Sequence, residues 1–274
     1  QLNRLPLKTQ YFLSQPVADL CALLAEVTPG RLQYTFLCNS GTEAVEGALK
    51  CARVFTRKPG IISAVGAFHG KSLGSLSASG REVYKEPFYP LVPGFRQVPF
   101  GEIEPLREAI DQETAAVILE AVQGEAGVRV SPDDYLKQVR QACDEKGVLL
   151  ILDEVRTGFG RLGRLFAADL YGIEPDIICF GKALGGGVMP VGAFMARAEI
   201  WDALFGENPW LHSSTFGGNP LAAAAGLAAV RTTIEEKLPE RAAALEPRLL
   251  DGLRRIQERY PAIITEVRGK GLLA

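Results

Sequence analysis

The feature that most constrains this chain is a series of short apolar runs in which polar and apolar residues do not alternate. Residues 148–152 and 177–180 are the clearest runs, and residues 61–65 and 115–119 are of the same kind. Such runs are typical of strands buried on both faces of a parallel sheet. Segments with helical spacing lie between them, and one is predicted to start at Ser131-Pro132-Asp133-Asp134, with a cap, a proline at its first position and an acidic first turn, and to run to Gly147. The sequence therefore predicts an α/β fold with a mostly parallel central sheet and helices on both faces.

Two of these runs end on residues with unusual chemistry, the first at Asp153 and the second at Gly181-Lys182. Ligands of open parallel sheets bind beyond the carboxyl ends of the strands, so we expect Asp153 and Lys182 to face one crevice. Pyridoxal phosphate suits such a pair, because a lysine amine binds the cofactor covalently and an acid keeps its ring nitrogen protonated. Taken singly, each residue favours a simpler interpretation: Asp153 caps a turn and Lys182 is a solvated loop residue.

A candidate phosphate site lies earlier in the chain, at Ser40-Gly41-Thr42. These residues separate a predicted strand at 34–38 from a predicted helix at 43–54. Free N–H groups and the helix dipole at such a helix start attract a dianion. By itself, a short turn of this composition is more often an ordinary helix cap.

Three more side chains follow predicted strands and are expected in the same crevice. Phe68 and His69 come shortly after one strand and offer an aromatic face that can stack on a flat heterocycle. Glu120 comes directly after the predicted strand at 115–119. An aromatic residue after a strand is more often part of the core. The evidence that these residues share a site is therefore their common position after strand ends.

A nucleotide-binding phosphate loop is the strongest alternative. Residues 149–154 have the form of an apolar strand followed by two acids, and residues 66–72 end in Gly-Lys-Ser. That loop requires four residues between its first glycine and the Gly-Lys pair. Gly66 leaves three, and Val65 occupies the position of the missing glycine. A shift of one residue displaces the backbone amides that bind phosphate, so we favour the pyridoxal phosphate interpretation.

Charge and composition argue against several classes of protein. The net charge of -2 and the pI near 5.9 give no electrostatic reason to expect binding to nucleic acid or to an anionic membrane. No apolar run approaches the ~20 residues that a membrane span requires. His69 and His212 lack metal-ligand spacing, and we expect no metal site. Five cysteines without a Cys-x-x-Cys pair are typical of reduced thiols in a cytoplasmic protein.

The domain organisation is predicted from where the alternation of strands and helices ends. It continues through a large domain over residues 1–236, whose amino-terminal segment we expect to be incomplete because the chain starts with Gln1. Residues 237–274 are expected to begin a smaller, truncated carboxyl-terminal domain, with a helix at 241–260 and a strand at 264–267.

With these residues identified, the chain resembles the class III, or ω-, aminotransferases, which are pyridoxal phosphate enzymes of fold type I. The resemblance covers nearly the whole chain and is nearest to the putrescine aminotransferases, followed by the ornithine and acetylornithine aminotransferases. It implies a fold-type I transferase. Six matching motifs occur in the order of the family, at residues 39–46, 68–70, 120–125, 152–161, 181–187 and 215–220.

The resemblance implies a role for each matching residue near the cofactor. Lys182 would carry the cofactor as an aldimine and move the proton during transfer, and Asp153 would pair with the ring nitrogen. The other residues would bind the phosphate or enclose the ring: Ser40, Gly41 and Thr42 on the phosphate, Phe68 and Val155 on the two ring faces, with His69 in the same motif as Phe68.

The resemblance also implies roles for four more residues. Glu120 and Glu125 match acids that line the cofactor and substrate pocket. Arg156 stands beside the phenolic oxygen of the cofactor, where members of the family often have glutamine. Thr215 matches a threonine that reaches the phosphate of the neighbouring subunit, which implies a homodimer.

The function implied is transfer of a terminal amino group from a diamine or an ornithine-like donor to 2-oxoglutarate or a similar 2-oxo acid, through a pyridoxamine form. The same scaffold also serves amination of an unusual aldehyde in secondary metabolism and aminomutase chemistry, and both stay open. So does a catalytically silent module that serves interaction or dimerisation.

Overall fold

The computed structural model describes Gln1 and residues 12–274. Its strands are β1 (Tyr34–Cys38), β2 (Gly60–Ala64), β3 (Phe95–Val98), β4 (Thr114–Leu119), β5 (Val122–Gln123), β6 (Arg129–Val130), β7 (Leu149–Asp153), β8 (Ile177–Phe180) and β9 (Gly192–Ala196). Its helices are α1 (Gln15–Val27), α2 (Gly41–Thr56), α3 (Leu73–Ala78), α4 (Glu82–Lys85), α5 (Ile103–Ala109), α6 (Tyr135–Lys146), α7 (Ala167–Tyr171), α8 (Ala198–Phe205), α9 (Pro220–Glu235) and α10 (Leu238–Arg259).

Seven strands form one sheet in the order β1-β9-β8-β7-β4-β2-β3. The pairs β3–β2, β2–β4, β4–β7 and β7–β8 are parallel, whereas β9 runs antiparallel to both β8 and β1. The prediction of a mostly parallel sheet is therefore confirmed. Because only β9 is reversed, the carboxyl ends of β1, β2, β4, β7 and β8 share one edge of the sheet.

Helices cover both faces of the sheet, as the unalternating apolar runs predicted. Ile151 and Ile177 pack on the face that α2 and α8 cover, and Leu152 and Ile178 pack on the face that α1, α6, α7 and α9 cover. All four side chains are fully buried. Each of these strands therefore contributes to two apolar layers, one on each face of the sheet.

Two local predictions were wrong. The pair Ser131-Pro132 is typical of a helix start, yet α6 begins at Tyr135, whose N–H donates to the Pro132 carbonyl in a preceding turn. Ser131 is buried beside the β5–β6 hairpin, where its N–H donates to the Ala121 carbonyl, and it lies four residues before the first helical residue, too early to cap the helix.

Residues 264–267, predicted as a strand, have no regular secondary structure, and the short bridge nearby joins Lys270 to Leu273. The helix predicted before them is α10, which begins at Leu238. The chain end packs on the loop after β7, where the Leu272 N–H donates to the Arg161 carbonyl. A domain boundary near residue 236 stays a prediction.

We expect Gly47→Ala to destabilise the fold. An ideal Cβ at Gly47, in α2, would lie 2.2 Å from Cε1 of Phe194, in β9 and fully buried. Overpacking of this kind costs about 1–3 kcal/mol in the free energy of unfolding, which urea denaturation measures. The matched control is Gly252→Ala, because the nearest atom to a Cβ there is 3.9 Å away, on a flexible arginine of α10. The control should be neutral or slightly stabilising, and equal losses in both variants would contradict the packing argument.

Candidate active site

The predicted site residues meet at the edge of the sheet where the parallel strands end. A crevice of about 280 Å³ lies there, lined by Ser40, Gly41, Thr42, Phe68, His69, Gly70, Lys71, Glu120, Asp153, Val155, Arg156 and Lys182. Of the residues predicted from the sequence, Glu125 and Thr215 are outside this lining. Glu125 touches it through an ion pair with Arg156, whereas Thr215 is exposed on the loop before α9.

Asp153 is fixed at the floor of the crevice. Its side chain is almost fully buried at the end of β7. Oδ2 lies 2.8 Å from Nδ1 of His69, and Oδ1 accepts the Val155 N–H at 3.0 Å. Each carboxylate oxygen has one protein partner and retains a lone pair, so the group can accept a further hydrogen bond from a ligand.

His69 was predicted to offer an aromatic face, but the structure gives it another position. The residue is 3% exposed, and its ring is paired with Asp153 rather than open to stacking. Burial lowers the pKa of His69, but the hydrogen bond to Asp153 and the charges of Asp153 and Glu120 outweigh burial, so the pKa is raised. Its buried Nε2 has no hydrogen-bond partner among the described residues. No sequence signal links His69 to Asp153, since 84 residues separate them.

Glu120 is a second buried acid in the crevice. It follows β4 and accepts the N–H of Phe68 at Oε2, at 3.0 Å. Burial, with a smaller contribution from the charge of Asp153, raises the pKa of Glu120 to about 7, against the lowering effect of His69 and the Phe68 N–H. Glu120 can therefore exchange a proton near neutral pH, which an ordinary glutamate cannot do.

Lys182 lies on the short 3₁₀ turn at Lys182–Gly185 that follows β8. Its φ of 42° is in the left-handed region, which is uncommon for a residue with a side chain. Its side chain is exposed at the crevice and lies among the charges of Arg156, Asp153 and Glu120. Partial desolvation, followed by the positive charge of Arg156, lowers the pKa of Lys182, while Asp153 and Glu120 oppose this. A lowered pKa increases the fraction of free amine, the nucleophilic form.

The predicted phosphate site is the amino end of α2. Gly41 is the first residue of the helix, and Ser40 caps it by accepting the Glu43 N–H at Oγ. A Cβ at Gly41 would lie 2.7 Å from Cγ1 of Val155, so the backbone there packs directly against a residue two positions after Asp153. Helix N–H groups and dipole at this position suit a phosphate dianion.

The structure argues against the nucleotide-loop alternative. In such a loop, the N–H groups at the start of the following helix bind phosphate. Here Oε1 of Glu46 accepts the N–H of Gly74 at 2.9 Å and that of Ser75 at 3.0 Å. A carboxylate thus occupies the position that phosphate would need.

Two searches of the described residues, for clusters of metal-binding side chains and for membrane-spanning helices, found none. Residues 1 and 12–274 contain no cluster of three or more His, Cys, Asp or Glu side chains placed to hold a metal ion. Within the same residues, no helix combines the length and apolar character that crossing a bilayer requires.

Known proteins are similar to this chain in both sequence and fold. The sequence model of the family described as Aminotransferase class-III matches residues 1–274. The ornithine aminotransferase of Toxoplasma gondii ME49 is 37% identical with a TM-score of 0.94, and the match covers 99% of this chain and 66% of that one. A thermostable (S)-enantioselective omega-transaminase from Thermomicrobium roseum is 37% identical with a TM-score of 0.93, over 99% of this chain and 67% of that one.

A third similar structure contains the cofactor that the sequence predicted. This amine transaminase from an uncultivated Pseudomonas species, in a PLP-bound form, is 33% identical with a TM-score of 0.93, over 98% of this chain and 68% of that one. The chain thus spans about two thirds of the length of these relatives.

We expect Glu154→Gln to reduce the pH dependence of stability. Glu154 is fully buried beside Asp153, where Oε1 accepts the Ala168 N–H at 2.9 Å and Oε2 accepts the Thr157 hydroxyl. Burial is the main cause that raises its pKa from 4.5 to about 7. Ionising the folded carboxyl therefore costs stability, which falls as pH rises from 4.5 to 7, by up to about 1 kcal/mol per pH unit.

Thermal unfolding at pH 5, 6 and 7 measures this effect. The glutamine variant should show a smaller fall over this range, with a remainder of the same sign from Glu120, whose pKa is raised in the same way. The control is Glu108→Gln, at an exposed position of α5, which should keep the wild-type slope. An unchanged slope in Glu154→Gln would show that the buried carboxyl does not titrate in this range.

Proposed function

Because this chain belongs to the class III aminotransferases, a family of pyridoxal phosphate enzymes, we propose that it is an aminotransferase. It moves the terminal amino group of a diamine or an ornithine-like donor to 2-oxoglutarate or a similar 2-oxo acid. The observation that carries the proposal is the presence of Asp153 and Lys182 in one crevice, at the ends of the adjacent parallel strands β7 and β8.

The residues of the crevice fit pyridoxal phosphate. Asp153 has an oxygen lone pair for the ring nitrogen, the amino end of α2 suits the phosphate, and Phe68 and Val155 offer apolar faces to the ring. When bound, the cofactor supplies a ring that accepts electrons from the substrate carbon. The crevice thus offers a partner for the ring nitrogen and for the phosphate of this cofactor.

In this proposal, Lys182 and Asp153 hold or move the protons of the reaction. Lys182 would supply the amine that holds the cofactor, and its lowered pKa favours the neutral Nζ, which can accept a proton and pass it on. Asp153, oriented by His69 and by the Val155 N–H, holds the proton of the ring nitrogen in place. Glu120, with its pKa near 7, can hold a further proton at Oε1 or Oε2.

The donor class is supported by two groups of similar structures. An ornithine aminotransferase supports a donor with a terminal amine and a carboxylate, and putrescine is the diamine predicted from the sequence. The omega-transaminase and the amine transaminase support a second candidate, transfer from an amine without a carboxylate to an unusual aldehyde or ketone.

We further propose that the protein is a homodimer and that it is located in the cytoplasm. Thr215 is exposed and outside the crevice of its own chain, as expected of a residue that reaches the cofactor of a second subunit. All five cysteines are free thiols, and four of them are buried, which suits a reducing compartment.

An absorbance spectrum tests the function most directly. The cofactor-loaded protein should lose its visible band on addition of putrescine or ornithine and regain it with 2-oxoglutarate, because each half-reaction changes the cofactor. A band that responds to an aromatic amine but to neither of these donors would favour the second candidate. A protein that takes up no cofactor would contradict the whole proposal.

Lys182→Ala should lower turnover at least about a thousandfold, because no other side chain can take over both binding and proton transfer. Steady-state turnover with the best donor measures the loss. The control is Lys71→Ala, which removes a second lysine of the same crevice and should retain most activity. A similar loss in both variants would mean that general positive charge, rather than Lys182, supports the reaction.

Asp153→Asn should leave the cofactor bound and lower turnover by about a hundredfold, since a neutral amide does not stabilise a protonated ring. The cofactor content after dialysis and the turnover rate measure the two effects separately. Loss of the cofactor together with the rate would instead assign Asp153 a role in binding.

A further inference from the structure

The segment Gly70-Lys71-Ser72, which a nucleotide loop would use for phosphate, contacts the amino end of α2 instead. Oγ1 of Thr42, the second residue of α2, lies 2.7 Å from Oγ of Ser72 and 2.6 Å from Oγ of Ser75, in α3. The N–H of Ser72 also donates to Oγ1 of Thr42, at 3.3 Å. Three hydroxyl groups therefore meet beside the crevice, whose lining includes Thr42 but neither serine.

Glu46 determines which way the protons of these hydroxyl groups point. Its Oε1 accepts the hydroxyl of Ser72 at 2.6 Å, together with the two N–H groups at the start of α3 described above. A carboxylate accepts and a hydroxyl has one proton, so Ser72 has no proton left for Thr42. The contact between Thr42 and Ser72 is therefore a hydrogen bond in which Thr42 is the donor.

The same count assigns the proton of Ser75. Because Thr42 gives its only proton to Ser72, the 2.6 Å contact between Thr42 and Ser75 requires Ser75 as the donor. The Ser72 carbonyl lies 3.1 Å from the Ser75 hydroxyl and, at this longer distance, is the weaker competitor for its proton. The protons thus run in one direction, from Ser75 through Thr42 and Ser72 to the carboxylate.

Within this chain of hydrogen bonds, Thr42 is the member that can turn its proton toward the crevice. Ser72 is held by a carboxylate, and Ser75 is fully buried in α3. Thr42 lines the crevice in the first turn of α2, where the N–H groups and the dipole suit a phosphate dianion. A charged phosphate oxygen accepts more strongly than the Ser72 hydroxyl, and Thr42 can donate to it while still accepting from Ser75.

The backbone approaches this network closely on two sides. A Cβ at Gly70 would lie 2.3 Å from Oγ1 of Thr42 and 2.5 Å from Oγ of Ser75. A Cβ at Gly74 would lie 2.2 Å from Oε2 of Glu46. Both positions therefore require glycine, and the close packing leaves the Thr42 side chain little space for another rotamer.

We propose that Ser75 is a positioning residue for the cofactor phosphate: its hydroxyl donates to Thr42, which keeps the proton of Thr42 available for a phosphate oxygen. The proposal rests on the proposed function, since it places the phosphate of that cofactor at the amino end of α2. Ser72 and Glu46 fix the direction of the protons, and without them Ser75 could accept from Thr42 instead. The Gly-Lys-Ser segment thus serves phosphate binding through its contact with Thr42.

The ratio of the affinities for pyridoxal phosphate and pyridoxal tests this, because the two compounds share the ring and the aldehyde and differ in the phosphate. Each is titrated onto the full chain after phenylhydrazine treatment and dialysis have removed the cofactor, and tryptophan fluorescence reports binding. Ser75→Ala should lower the ratio about fivefold, since a hydrogen bond that positions Thr42 is lost. Thr42→Val should lower it at least about tenfold, because the charge-assisted bond itself is lost. Thr42→Ser, which keeps the hydroxyl, should retain most of the ratio.

A double variant that combines Thr42→Val with Ser75→Ala shows whether Ser75 acts through Thr42. If it does, the double variant should have the ratio of Thr42→Val, because the serine has no hydroxyl left to position. Additive losses would overturn the proposal. An unchanged ratio in Ser75→Ala would also overturn it, since a purely structural role weakens the binding of both compounds equally.

Ser77→Ala is the matched control. Ser77 is a buried serine of the same helix, and its hydroxyl donates to the Leu73 carbonyl and accepts the Val92 N–H. The control should keep the wild-type ratio. A fall as large as that in Ser75→Ala would assign the effect to the packing of α3 and overturn the proposal. Far-UV circular dichroism confirms that every variant is folded.

The failure of this inference and the failure of the proposed function are distinguishable. Cofactor binding requires no turnover, so the ratio can fall in Ser75→Ala even if the protein transfers no amino group. Conversely, a responsive absorbance band together with an unchanged ratio in Ser75→Ala would retain the aminotransferase and overturn the role of Ser75.

Discussion

The hydrogen bond between Asp153 and His69 is the contact on which the crevice depends. It joins the end of β7 to the loop after β2, two strands that β4 separates in the sheet, and both side chains are nearly inaccessible to water. Burial alone would favour a neutral imidazole, and an unpaired carboxylate would be costly at this depth. Asp153 therefore stabilises the charged form of His69, whose pKa is raised. With the Val155 N–H on the second oxygen, the carboxylate is oriented by the protein rather than by its ligand.

The charged groups of the crevice are arranged in layers. Glu120 and Asp153 are buried at the floor, where water screens charge weakly, and burial raises the pKa of Glu120 to about 7. Arg156 and Glu125 are at the rim, where solvent weakens each interaction. Lys182 lies between the layers and is affected by both, since Arg156 lowers its pKa and the two buried acids raise it. The firmly held groups therefore lie at the floor of the crevice and the solvent-exposed ion pair at its rim.

Much of this organisation could be predicted from local sequence. The runs that became β4, β7 and β8 are apolar on both faces, and the rule that ligands bind at strand ends places Glu120, Asp153 and Lys182 at one edge. Contacts that depend on the tertiary path could not be predicted. Nothing in the neighbourhood of His69 indicates that its ring meets Asp153, and nothing beside Arg156 indicates Glu125. The helix predicted to start at Ser131 begins later, because Ser131 contacts the β5–β6 hairpin. The strand predicted at residues 264–267 was wrong because β-forming residues need a neighbouring strand.

The close approach at Gly124 has a consequence for evolution and for engineering. The side chain of Arg156 crosses the backbone of Gly124, where a Cβ would lie 2.2 Å from Cδ of the arginine. A side chain at position 124 therefore excludes an arginine at position 156 in this conformation. Relatives with alanine or a larger residue at the first position should therefore carry a shorter side chain at the second, and the two positions should change together across an alignment. A designer who wishes to graft this arginine onto another scaffold must transfer the glycine with it.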